Sequence, residues 1–306
     1  MLKRKALKKI YLTTLVLFIM LVTITIDYLK VDKNKNLIEI EYVSNLKTTH
    51  IYLLNVDNYL VKVDYLLRSD TKEENIKEIL NELYVTNLKN GNLKGIIPSN
   101  TKINKIKIDN TTAIIDFSKD LLKVNKNLEE KVIESIVYSL IELDDIDNVK
   151  ILIDGNPLTK LEKNNKNMPI TLDSTIGINK DYEISSIKDI EKVVIYYVCN
   201  LNNNDYYVPV TKFVNSRDSK VKIIIDSLKG NYFSNTNLRS YLNRNTNIDF
   251  KLDDDILTIT FDSLNDDYLE SVTYSLASSI FDTIDIKKVI FEVNNNIVDI
   301  KTKEKS

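Results

Sequence analysis

One nine-residue pattern occurs twice in this chain, and that constrains the fold more than any other feature. Residues 132–140 read V-I-E-S-I-V-Y-S-L, and residues 268–276 read Y-L-E-S-V-T-Y-S-L. Glu134, Ser135, Tyr138, Ser139 and Leu140 recur as Glu270, Ser271, Tyr274, Ser275 and Leu276, a constant shift of 136 positions. Apolar character recurs as well, with Val132, Ile133 and Ile136 answered by Tyr268, Leu269 and Val272. Two copies of about 105 residues are too few and too long for a solenoid. The expectation is two related domains within the 306 residues, in keeping with about 150 residues per domain.

The flanking segments repeat in the same order. In the first copy, residues 51–54 and 59–63 alternate as a hairpin across Asp57-Asn58. Ile76, Ile79, Leu80 and Leu83 then fall on one helical face, with Ser69 or Asp70 as the cap. Runs 103–108 and 112–117, split by Asp109-Asn110-Thr111, read as a second hairpin. A helix over 128–143 follows, with Asn127 as N-cap and Glu130 three residues on, and then a strand over 149–153. The second copy restates these pieces at 193–198, 206–210, 221–228, 248–252, 256–261, 269–281 and 289–293. The fold class expected is α+β: two tandem domains, each a small mixed or antiparallel sheet with two helices on one face. The repeated helix carries the main apolar stripe (Leu128, Val132, Ile136 and Leu140 with Ile133, Val137 and Ile141). Each such side chain contributes roughly 1.5–3 kcal/mol when buried.

Ahead of the repeats, residues 10–26 run from Ile10 through Thr25 to Ile26 without a charge. That is about 17 residues, short but sufficient for a spanning helix. Lys3, Arg4, Lys5, Lys8 and Lys9 precede the run, which keeps that side cytoplasmic. The run ends in Thr23, Ile24, Thr25 and Ile26 without a small-x-small exit, so an uncleaved signal-anchor is favoured over a cleaved secretory signal. The division expected is a basic head at 1–9, a transmembrane signal-anchor at 10–26, a spacer at 27–49, a first domain at 50–160, a linker at 161–191 and a second domain at 192–302. Everything after the anchor is then extracytoplasmic.

Net charge is −2, but the cations of the head conceal an acidic body, in which the 44 Asp and Glu outnumber the remaining Lys and Arg. Such a body is a poor partner for nucleic acid. One Cys, Cys199, excludes an internal disulfide, and one His, His50, limits imidazole chemistry. Asp116 lies within an apolar strand and invites a catalytic reading, yet the second copy has Thr260 there and alternation turns Asp116 outward. Glu134 and Glu270 recur in the first turns of their helices, where acids favour the dipole. Asp253, Asp254 and Asp255 lack calcium-loop spacing and read as a turn. Tyr138 and Tyr274 read as structural phenols, His50 as a surface residue and Cys199 as a buried small hydrophobe. No residue is assigned a catalytic, cofactor-binding or metal role, and no cofactor is expected.

Several stretches together resemble the GerM family of sporulation and germination proteins, built on tandem GerMN domains. They are Ile97-Pro98-Ser99-Asn100-Thr101, Ala113-Ile114-Ile115-Asp116-Phe117-Ser118, Val137-Tyr138-Ser139-Leu140, Val149-Lys150-Ile151-Leu152-Ile153-Asp154-Gly155, Leu228-Lys229-Gly230 and Thr273-Tyr274-Ser275-Leu276. The linker piece Ile176-Gly177-Ile178-Asn179 is similar to the family's inter-domain segment. The likeness runs from about residue 50 to residue 300 and departs from the family at Leu242-Asn243, Thr260 and Asn295. No lipobox Cys follows the apolar run, so the anchor would be the 10–26 helix. The resemblance implies a non-enzymatic scaffold between mother cell and forespore, with domains like the ring-building motif of secretion-type channels. It implies protein partners in an envelope complex and is compatible with a homo-oligomer. The alternatives are a module that binds a germinant or peptidoglycan fragment in an interdomain cleft, and, last, a hydrolase built on Asp116 and Glu134.

Overall fold

The computed structural model describes residues 47–85, 88–89, 92–230 and 236–303. The expected head and anchor, and residues 27–46 of the expected spacer, lie outside the described residues. Among the described residues no helix is long and apolar enough to cross a membrane. The described residues form one compact unit.

The first copy opens with the hairpin β1 (Thr48–Leu54) and β2 (Leu60–Leu66). Asn55 closes its turn by accepting the Asp57 and Tyr59 N–H groups at 3.0 and 2.8 Å. Helix α1 (Lys72–Glu82) is capped by Thr71 and not by Ser69 or Asp70, because the Ser69 hydroxyl is spent on Glu78 at 3.1 Å. Short strands β3 (Leu88–Lys89) and β4 (Leu93–Lys94) lead to the hairpin β5 (Ile103–Asp109) and β6 (Thr112–Phe117). Helix α2 (Glu129–Ile141) then crosses over to β7 (Asn148–Ile153), which pairs parallel to β6. It starts from a 3-10 turn over Lys126–Leu128 and has no side-chain cap, so Asn127 does not cap it.

The connection carries β8 (Asn156–Pro157), β9 (Lys160–Leu161), β10 (Lys166–Asn167) and β11 (Asp181–Glu183). The second copy comprises β12 (Ile190–Leu201), β13 (Asn204–Asn215), α3 (Lys220–Lys229), β14 (Leu238–Arg239), β15 (Ile248–Asp253), β16 (Ile256–Phe261), α4 (Leu269–Phe281), β17 (Lys288–Val293) and β18 (Asn296–Thr302).

The fold is α+β, but each copy does not form one sheet. The two opening hairpins join in a single central sheet, ordered β14-β12-β13-β2-β1-β4-β3 with β11 beside β13. The second hairpin and last strand of each copy make separate four-stranded sheets, β5-β6-β7-β8 and β15-β16-β17-β18. The reason lies in the repeated helix. Every residue from 132 to 140 is buried, Ser135, Tyr138 and Ser139 included. A helix buried all round cannot lie on the outside of one sheet, and α2 packs against both β1 and β7.

Its serines seal the central sheet. Ser139 Oγ accepts the Tyr52 N–H at 2.9 Å, and the Ser135 hydroxyl donates to the Tyr52 carbonyl at 2.7 Å, giving buried strand groups the partners they require. In the second copy it is Ser279 that accepts the Tyr196 N–H, at 2.8 Å. Helices α2 and α4 therefore correspond at a shift of 140, as their ends also show. The shift of 136 read from the repeated letters is one helical turn out of register.

Candidate functional site

The sequence candidates disperse into structural roles. Asp116 Oδ1 accepts the Gly155 N–H at 2.9 Å and so fixes the β7–β8 turn. Asp253, Asp254 and Asp255 are exposed at the β15–β16 turn, with Asp254 at φ 50°. Among the described residues no His, Cys, Asp and Glu group could hold a metal ion. The Tyr138 hydroxyl donates to the Ser174 carbonyl at 2.9 Å, and burial holds its pKa well above the usual range. The ring of Tyr274 lies 3.9 Å from that of Tyr207. Cys199 is buried and receives a hydrogen bond from Asn55 Nδ2 at 3.7 Å. Glu270 is exposed.

Glu134 is the exception. Its side chain is 3% exposed and forms an ion pair with Lys180, while Oε2 accepts the Asn179 N–H at 3.0 Å. Glu130, one turn back, pairs with Lys166 at 2.5 Å and with Lys180 at 3.3 Å. The helix thus grips the linker. Asp116 and Glu134 share no partner, so the pair imagined for a hydrolase is not assembled.

Asn179 is the centre of this grip. Its backbone lies at φ 47°, a left-handed conformation that Asn tolerates better than most residues. The amide oxygen accepts the Leu60 N–H at 2.9 Å and the Lys131 ammonium at 2.5 Å. The amide nitrogen donates to the carbonyls of Leu60 and Pro209, both at 2.8 Å. One side chain therefore bridges β2 of the first copy, β13 of the second and α2. The two strands pair directly at only one position, Tyr207 with Lys62. Beyond it the linker replaces β2 as the neighbour of β13. The Thr211 N–H donates to the Ile178 carbonyl at 2.8 Å, and Asp181, Tyr182 and Glu183 pair with Lys212, Phe213 and Val214. Pro209, which has no N–H, occupies the fork where a ladder bond is not made.

Beside this fork lies a cleft of about 280 Å³ lined by Asp57, Asn58, Tyr59, Lys131, Asn179, Lys180 and Asp181. Desolvation, and then the nearby Lys180, pull the Lys131 pKa down, against Glu134 and Glu130. Its ammonium sits 5.6 Å from the centre of the Tyr59 ring, a cation–π distance. A lysine with a lowered pKa in a cleft is a functional hint, but this one is already committed to Asn179.

A second cluster sits at the helix C-terminus. Glu142 accepts from the Tyr52 hydroxyl at 2.6 Å and pairs with Lys62 at 3.0 Å and with His50 Nδ1 at 2.7 Å. The other His50 nitrogen lies 3.3 Å from Asp64. His50 is thus a half-buried link between carboxylates and not a surface residue. Burial pushes the Glu142 pKa up, but His50, Lys62 and Tyr52 outweigh it and hold the group at about 2. The second copy keeps the phenol–carboxylate pair, with the Tyr196 hydroxyl donating to Asp282 at 2.7 Å. Sequence reading missed Asn179, Glu142 and Lys62. The one signal available was the Gly-Ile-Asn piece of the linker, which carries a residue type suited to positive φ.

A family model described as Germane, sporulation and spore germination, matches residues 50–159. The spore germination protein GerM of Bacillus subtilis (strain 168) is 28% identical over 187 residues, covering 58% of this chain and 50% of that one. The chain therefore spans about half the length of this curated relative. The solved tandem GerMN domains of the sporulation protein GerM from Bacillus subtilis superimpose with a TM-score of 0.71. That match is 22% identical and covers 82% of this chain and 92% of the other. At that identity it establishes the shared fold, including the second copy, which the family model does not reach.

Proposed function

The chain belongs to the GerM family, and from that premise we propose that it is a non-catalytic assembly factor for sporulation or germination. In this reading it is anchored by residues 10–26, carries its bulk outside the cytoplasmic membrane and acts by binding protein partners. The supporting observation is a loop built to present apolar side chains. Asn215 Oδ1 accepts the Ser185 and Ser186 N–H groups at 2.8 and 3.1 Å, and its Nδ2 donates to the Ser186 and Lys188 carbonyls at 3.0 and 2.6 Å. Tyr182 stacks on Phe213 with ring centres 4.9 Å apart. On this frame Ile187 is 93% exposed, with Ile184 and Ile190 exposed beside it. A fixed apolar knob has little ordering entropy left to lose, which suits a binding anchor.

Ligand recognition is the weaker reading. The cleft at Lys131 has a volume just below the roughly 300–1,000 Å³ typical of small-molecule sites, and its lysines are engaged. The test is deletion of the gene in its spore-forming host and complementation with wild type or Ile187→Asp. The expected result is a loss of heat-resistant spores on deletion, rescued by wild type and not by a normally accumulating Ile187→Asp. Full spore yield without the gene, with a fluorescent fusion spread evenly over vegetative cells, would refute the role.

A further inference from the structure

The last strand, β18, is the outer strand of its sheet, and among the described residues nothing pairs with its second edge. The first copy handles the same position differently. There β7 is flanked by the two-residue β8, which contains Pro157, and then by Leu172 of the linker, which exchanges both backbone hydrogen bonds with Val149 at 2.8 Å. That edge is short, interrupted and partly proline, as protected edges are. Strand β18 is seven residues long, contains no proline and leaves Ile297, Val298 and Ile300 exposed. Its protection is a bulge opposite Phe291 and Glu292 and the paired charges of Asp299 and Lys301.

The backbone of β18 is aimed for pairing. The Ile300 N–H is not used in the ladder to β17; it donates to its own neighbour, Asp299 Oδ1, at 2.8 Å. In an antiparallel ladder the N–H and C=O of one residue point to the same side, so those of Ile300 face the open edge. Thr302, two residues on, shares that direction, whereas Val298 is the extra residue of the bulge and falls out of the alternation.

We propose that this edge pairs with the same edge of a second copy of the chain, antiparallel and centred on Ile300. The charges favour that arrangement. Centred there, Asp299 of each copy lies opposite Lys301 of the other. Moving the centre by one residue places either Asp299 opposite Asp299 or Lys301 opposite Lys301, and like charges directly opposite are unfavourable. In the single chain Lys301 already reaches Asp299 at 3.0 Å, so the groups exchange an internal partner for a symmetric one. The two Ile300 residues exchange N–H and C=O bonds across the twofold, and Ile290, Ile297 and Ile300 of both copies form one apolar strip on the outer face. The interface is isologous and closes at two copies, giving a continuous eight-stranded sheet. It does not depend on the cellular role proposed above.

The test uses the full chain in detergent micelles. Ile300→Cys should form a disulfide-linked dimer under mild oxidation, since directly opposed hydrogen-bonded residues have Cα atoms about 5.5 Å apart. Phe250→Cys, on the opposite edge of the same sheet, should not, and Cys199 is buried. By light scattering, Lys301→Asp should convert the dimer to monomer, and the double variant Asp299→Lys, Lys301→Asp should restore it. A wild-type chain that is monomeric throughout the micromolar range overturns the proposal. So does equal cross-linking at positions 250 and 300, or a dimer indifferent to Lys301→Asp.

Discussion

Removing the Asn179 side chain should be among the costliest substitutions in the protein, although Asn179 lies in a linker far along the chain from either repeated motif. Asn179→Gly tolerates the φ of 47°, so it deletes the amide without straining the backbone. It strands the Leu60 N–H and the Leu60 and Pro209 carbonyls, and it leaves the Lys131 ammonium with Glu134 at 3.8 Å as its remaining ion-pair partner. A buried polar group left without a partner costs about 1–3 kcal/mol, and water entering the vacated space recovers part of that. Three stranded backbone groups then lead to about 3–6 kcal/mol, against a total stability of about 5–15 kcal/mol for a typical domain. Glycine adds up to about 1 kcal/mol through the unfolded chain, and Asn58→Gly controls for it. Asn58 is exposed at φ 62° in the β1–β2 turn. The assay is urea unfolding followed by tyrosine fluorescence, which suits a chain with 17 Tyr and no Trp. If Asn179→Gly lowers the midpoint no more than Asn58→Gly does, the amide is not what holds β2, β13 and α2 together.

Acid should expose the Glu142 cluster. Its folded pKa is lowered to about 2 from 4.5, so its contribution is complete above about pH 4.5 and is lost as pH falls toward 2. That contribution is on the order of 3 kcal/mol; the stability gap between wild type and Glu142→Gln should therefore narrow from pH 7 to pH 3, and a constant gap refutes the assignment. Ser139→Ala and Ser279→Ala should cost similar amounts, about 1–3 kcal/mol each, because each strands the N–H of a buried tyrosine, Tyr52 or Tyr196. Equal losses at Ser139 and Ser275, with none at Ser279, would favour the register read from the letters. Gly95→Ala should prevent folding of the first copy, since a Cβ there would lie 2.2 Å from the Tyr84 carbonyl oxygen and 2.4 Å from that of Leu83. A normal melting temperature for that variant, measured by circular dichroism, would contradict the close approach.

The amino-acid sequence alone determined the local elements, because hairpins and amphipathic helices declare themselves through periods of 2 and 3.6 residues. The β5–β6 and β15–β16 hairpins, the two repeated helices and the final strands all stand where alternation and stripe place them. The duplication and the family were legible for the same reason, since they are written in residue types and their order. Partnership between distant segments was not. Nothing local in Asn179 announces that Leu60 and Pro209 converge on it from far along the chain, and nothing in Glu142 announces Lys62 and His50.

The repeated motif shows the limit most clearly. A helix resembles itself when slid by one turn, so E-S-x-x-Y-S-L matches at a shift of 136 while the folded helices correspond at 140. Only the packing chose between them. A serine must stand where the buried N–H of Tyr52 or Tyr196 needs an acceptor, and that requirement belongs to the strand across the interface, not to the helix that supplies the serine.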